Sequence, residues 1–229
     1  MTAHNDDVMF IHVPKCAGWT VKSWLRDVLP GFTLPGNAHG HLPAGHTALR
    51  DMEQWTGRKP ESYRKIIGVI RNPYEREASE WIYRRDGFAK GERNGMYVAA
   101  AAHSTLTSFM QDPLSEWHRL DTEAPGHRRH TKYPDNKTYE TYGGFWMYWL
   151  AVDGTIPPNV QILRQENLAT ELAAAVGEFT SGDLPELPRL NATNHDEAMK
   201  YHTPLSVRLT EQRCEWAFDN FYERLSEKE

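Results

Sequence analysis

Residues 8–28 read Val8-Met-Phe-Ile-His-Val13-Pro-Lys15-Cys-Ala-Gly18-Trp-Thr20-Val-Lys-Ser-Trp24-Leu-Arg-Asp-Val28. Val8–Val13 is a short apolar run stopped by Pro14, the pattern of a buried strand. After a Pro14–Gly18 turn, Val21, Trp24, Leu25 and Val28 recur at i, i+3, i+4 and i+7, the apolar stripe of a helix that Pro30-Gly31 ends. The same strand–turn–helix order returns downstream. Lys65–Ile70 (KIIGVI) is a second buried strand, Arg71-Asn72-Pro73 the turn, and Tyr74, Ala78, Trp81 and Ile82 the face of the next helix. Val160–Arg164 (VQILR) is a third strand, with a helix near Leu168–Phe179. Strands alternating with helices predict the α/β class, with a parallel sheet, right-handed crossovers and helices on its faces.

The rest of the chain is read more coarsely. Residues 31–60, rich in Gly, Pro and His, read as loop with one short helix. Ser181–Pro188 reads as a linker. Cys214, Ala217, Phe218, Phe221, Tyr222 and Leu225 predict a helix near the C-terminus. The region 86–158 holds an alanine run, a basic cluster at His127–Lys132 and the aromatic run Tyr142–Trp149. The cluster suits a solvated face or an anionic acceptor, and the rings suit a core. No break in composition divides the chain, so one domain over 1–229 is expected.

Composition bounds the function. The chain has 229 residues, 39% hydrophobic and 25% charged, with 26 aromatic rings and a net charge of −5. That suits a folded globule and argues against wrapping nucleic acid. Two cysteines make neither a disulfide framework nor a thiolate zinc site. The acidic start carries no secretory signal and no apolar run reaches 18 residues. A cytoplasmic protein with no membrane span is the expectation.

The two turns carry the chemistry. A turn between a buried strand and a helix start aims backbone N–H groups at one point and favours an anion. Lys15 adds a point charge and Thr20 a hydroxyl. The plain alternative is a strand–helix turn with a solvated lysine. The chain has no G-x-x-x-x-G-K-[ST], which weighs against a magnesium-dependent kinase-like phosphotransferase. Arg71 leaves a strand end, where open parallel sheets bind ligands, and its planar fork suits a phosphate. Ser79 lies two turns into the following helix. The alternative is that Arg71 caps the sheet and Ser79 lies on the surface.

Taken together, His12-Val-Pro-Lys15-Cys16-Ala17-Gly18-Trp19-Thr20 and Arg71-Asn-Pro-Tyr-Glu-Arg76-Glu-Ala-Ser79 resemble two motifs of the sulfotransferases that use 3′-phosphoadenosine 5′-phosphosulfate (PAPS), in particular the carbohydrate branch with the heparan sulfate 2-O-sulfotransferases. Spacing and order agree, and Glu166-Asn-Leu168 is similar to a late turn of that family. The resemblance implies a sulfotransferase fold with a P-loop-like sheet. It implies that residues 15–20 hold the 5′-phosphosulfate, and that Arg71 and Ser79 hold the 3′-phosphate. It implies PAPS as sulfo donor without a metal, and a glycan or small hydroxylated acceptor. His39-Gly-His41 is similar to a family H-G-H whose second histidine is the base. That makes His41 the candidate base beside Lys15 in catalysis, with His39 as its substitute and a plain loop histidine as the alternative. Cys16 and Trp19 depart from the family's threonines, which leaves backbone donors but removes hydroxyls. That departure motivates a second hypothesis, a non-catalytic nucleotide- or glycan-binding module.

Overall fold

A computed structural model of the chain describes residues 3–33, 48–92, 95–112, 144–190 and 196–228. Its contacts form two compact units. The first takes Met1–Asn72 and Trp146–Ala192, the second Pro73–Phe145 and Thr193–Glu229.

The first unit is built on a sheet of four strands in the order β1 (Ala3–His4), β2 (Val8–Ile11), β3 (Lys65–Ile70) and β4 (Val160–Arg164). The protein is α/β, with a mostly parallel sheet flanked by helices. β1 runs antiparallel to β2, while β2–β3 and β3–β4 are parallel, with Ile11 opposite Gly68 and Gly68 opposite Ile162. The continuous apolar runs of β2 and β3 are what strands covered on both faces require. All of Val8–Ile11 and all of Ile66–Ile70 are buried. Full burial of one such side chain is worth about 1.5–3 kcal/mol, more than the ~1 kcal/mol net of a backbone hydrogen bond. Burial therefore holds this sheet more than its ladder does. β4 buries only Leu163, as an edge strand can.

Gly68 shows how closely the layers meet. A Cβ there would come 2.6 Å from Leu150 Cδ2, so the missing side chain lets the Phe145–Leu150 helix lie against β3. Trp146, Tyr148, Trp149 and Leu150 are all buried, so the rings at the end of the aromatic run belong to the core, as expected. At the other end of β3, Lys65 Nζ donates to Ala175 O at 2.7 Å and pairs with Glu178 at 2.9 Å. It thereby satisfies a last-turn carbonyl of the Leu168–Val176 helix.

Helix α1 (Gly18–Val28) buries Val21, Trp24 and Leu25, the stripe read from the sequence. The segment 181–188 is irregular, as a linker should be, yet it is tied down. Trp24 Nε1 donates to Pro185 O at 2.9 Å. β2 is two residues shorter than its apolar run, because Val13 N turns back to donate to Ile11 O at 3.1 Å and leaves the ladder. A short helix α2 (Met52–Thr56) follows a 3₁₀ turn at Leu49–Asp51.

The second unit is helical. Helix α3 (Pro73–Ala89) packs Ala78, Trp81 and Ile82 with Ala99, Ala100, Leu106, Phe109 and Met110 from the Gly95–Ala102 and Leu106–Gln111 helices, and with Ala198. The C-terminal stripe is less regular than its periodicity predicts. Pro204–Arg213 starts on a Thr203–Ser206 capping box, and Glu215–Asn220 follows it. Phe221 and Tyr222 both donate to Ala217 O, which closes the helix before Leu225. The chain end is collected by the Glu211 carboxylate. It accepts from Tyr74 Oη at 2.5 Å, Leu225 N at 3.0 Å and Ser226 N at 3.1 Å, and from Ser226 Oγ. Burial pushes the Glu211 carboxyl upward, but the hydrogen bonds from Ser226, Tyr74 and Leu225 outweigh it and hold the group below the ordinary glutamate range. Among the described residues, no helix is long and apolar enough to cross a membrane.

Candidate functional site

Parallel pairing puts the carboxyl ends of β2, β3 and β4 side by side, and each delivers a turn to the same edge. That edge is where open α/β sheets bind ligands. From β2 comes Pro14–Ala17, from β3 comes Arg71-Asn72, and from β4 comes Gln165–Asn167.

The first turn is unusual in its backbone. Lys15 (φ 65°) and Ala17 (φ 56°, ψ 23°) both lie in the left-handed region without being glycine. Each such residue costs about 1–2 kcal/mol against the right-handed alternative. Strained positions of this kind persist where the surroundings over-determine them, and they gather at ligand-binding sites. Ala17 is the N-cap of α1 and offers no capping side chain, and the first turn of the helix contains no acidic residue. Neither the N-cap nor an acid of its own first turn compensates the positive end of the α1 dipole, a condition that favours an anion there.

Gly18 is obligatory for a packing reason. An added Cβ would lie 1.7 Å from His12 Cδ2, inside the buried imidazole that fills the floor of the turn. Cys16 is buried, and its Sγ donates to Pro14 O at 3.4 Å. The thiol thus closes the turn from within, and the residue can offer a ligand its backbone only.

Thr20 behaves differently from its expected role. It is 5% exposed and forms a reciprocal pair with Leu190. Leu190 N donates to Thr20 Oγ1 at 3.1 Å, and Oγ1 donates to Leu190 O at 3.3 Å. The hydroxyl is held on the chain 170 residues away rather than turned to an anion. Trp19, by contrast, is 48% exposed at the first turn of α1.

Arg71 reaches across to this turn. Its Nη1 donates to Lys15 O at 3.5 Å, so two segments 56 residues apart meet through adjacent parallel strands. Asn72 N donates to Glu166 Oε1 at 2.7 Å, which fixes the second turn to the third. Ser79 belongs to the second unit, where it is buried at 1% exposure on α3. It is not the surface residue of the plain alternative. His39, His41 and the cluster His127–Lys132 lie outside the described residues.

Lys22 was not singled out by the sequence reading. The sequence signal is faint, because position 22 lies about 60° round the helix from Leu25, at the margin of the apolar stripe rather than on it. Among the described residues, no group of three His, Cys, Asp or Glu side chains is placed to hold a metal ion. Comparison with family models, with curated proteins and with solved structures finds no match to this chain.

Proposed function

We propose that the chain is a PAPS-dependent sulfotransferase of the P-loop-like sulfotransferase fold, acting on an acceptor hydroxyl, in the first instance one on a carbohydrate. The observation that carries the reading is the meeting of the Lys15 turn and Arg71 at the carboxyl edge of β2 and β3. The residues fit the donor. A turn with two left-handed residues, a helix start without an acid and a half-buried lysine suit a phosphosulfate, and a guanidinium beside them suits a second phosphate.

In this reading the N–H groups of residues 16–20 and Lys15 hold the 5′-phosphosulfate end and stabilise charge that grows on its phosphate side. Arg71 holds the 3′-phosphate and so positions the donor. The resemblance gives the same phosphate Ser79 as a further partner, and Ser79 is buried on α3. His41 takes the proton of the acceptor hydroxyl. The donor supplies an activated sulfo group, whose bond to phosphate breaks as the acceptor oxygen takes it. No step assigns work to a metal. The reading keeps the chain in the cytoplasm, where the buried thiols of Cys16 and Cys214 stay reduced.

A second reading has one observation in its favour. Thr20 and Cys16 both direct their polar groups at the protein's own backbone, which suits a non-catalytic nucleotide- or glycan-binding module on the same scaffold. Thermal denaturation tests the site common to both. Adenosine 3′,5′-bisphosphate is expected to raise the melting temperature clearly more than 5′-AMP, since a ligand of the native state stabilises by ~2.7 kcal/mol at a hundredfold excess over its Kd. Equal shifts would remove the 3′-phosphate from Arg71. Transfer of labelled sulfo group from PAPS to a panel of glycans and small alcohols then separates enzyme from binding module.

A further inference from the structure

Lys22 is 6% exposed and has no carboxylate or hydrogen-bonding partner among the described residues. Its ammonium lies 4.3 Å from the centre of the Trp19 ring. Burial pulls its pKa below the ordinary lysine value. A ring face offsets only part of what it costs to remove an ammonium from water. Helix side chains lean toward the N-terminus, and Trp19 is in the first turn, so this ammonium sits level with the start of α1. There the helix dipole opposes a cation. Lys15 stands in the adjoining turn, and Arg71 donates to its carbonyl. Lys15, Arg71 and Lys22 thus bring three cationic residues to the neighbourhood of a helix start that has no acid in its first turn.

In isolation this arrangement is unfavourable, and a multiply charged anion would balance it. We propose that Lys22 is a second ammonium ligand of the anion site at the start of α1. The site then takes a group with two or more negative charges, of the phosphate-anhydride class, beside the exposed face of Trp19. The inference rests on the reading of the 14–20 turn as the phosphate-binding element.

Calorimetric titration of the full chain with inorganic pyrophosphate and with adenosine 3′,5′-bisphosphate tests it, on wild type, Lys22→Met and Lys22→Arg. Loss of one charge-assisted contact is expected to weaken both ligands about ten- to a hundredfold in Lys22→Met. Lys22→Arg is expected to recover binding. The ligand-free Lys22→Met protein is expected to melt no lower than wild type, because methionine keeps the packed stem and removes a buried charge. Unchanged affinities in Lys22→Met overturn the inference and leave the sulfotransferase reading standing. A Lys22→Met protein that fails to fold, or a wild type that binds neither ligand, also overturns it. Lys22-dependent pyrophosphate binding with no preference for adenosine 3′,5′-bisphosphate over 5′-AMP does the reverse: Lys22 stands and the sulfotransferase reading falls.

Discussion

Replacing His41 with alanine is expected to lower sulfo transfer by about 10²–10⁴-fold, the usual range for removing a general base, while donor affinity stays at the wild-type value. The split follows from the role. A base that touches only the acceptor hydroxyl contributes nothing to holding the nucleotide, so the loss belongs to turnover alone. Turnover in His41→Ala equal to wild type would exclude it as the base, and His39→Ala would then be measured in the same way. Single-turnover kinetics, with nucleotide affinity measured separately, distinguish the two effects.

Lys15→Ala is expected to fail differently. Lys15 sits at a left-handed position in the turn that precedes α1, next to the carbonyl that Arg71 contacts. In the proposed reaction its charge acts on the bound donor, and more strongly as the leaving phosphate gains charge. Turnover is expected to fall by about 10²–10³-fold, as for loss of one preorganised donor at a developing anion. Donor binding should weaken as well, by a smaller factor. A Lys15→Ala protein with weakened binding but wild-type turnover at saturating donor would make the lysine a uniform binding contact. Because Lys15 has a positive φ, Lys15→Gly is the companion variant. Glycine adopts that region freely, so it separates loss of charge from any change in the turn.

The strands were legible because burial on both faces writes itself as an unbroken apolar run. KIIGVI and VQILR correspond residue for residue to β3 and β4. The run at Val8–Val13 overstated β2, because the apolar Val13 is buried although the chain has already turned away from the ladder there. β1 has two residues, too few for any period to show. Of the C-terminal stripe, Cys214, Ala217 and Phe218 are buried, while Phe221, Tyr222 and Leu225 are only partly so. The stripe could not show that Glu211 gathers Leu225 and Ser226 into a different path.

At the site, the sequence carried which residues stand at strand ends, because strand–turn–helix order places them there. It could not carry what their polar atoms bond to. Thr20 offers a hydroxyl, and nothing local to it signals Leu190, which lies 170 positions away. A lysine on a helix is ordinarily solvated, so the residue type does not signal the burial of Lys22.

In the proposed site two distant turns meet to bind one nucleotide with two phosphate groups. Calorimetric titration of adenosine 3′,5′-bisphosphate into wild type and Arg71→Ala, with 5′-AMP as control, tests it most directly. The account predicts that Arg71→Ala weakens the bisphosphate by about ten- to a hundredfold, as for loss of a charge-assisted contact, and leaves 5′-AMP unchanged. Equal affinity of wild type and Arg71→Ala for the bisphosphate would contradict it.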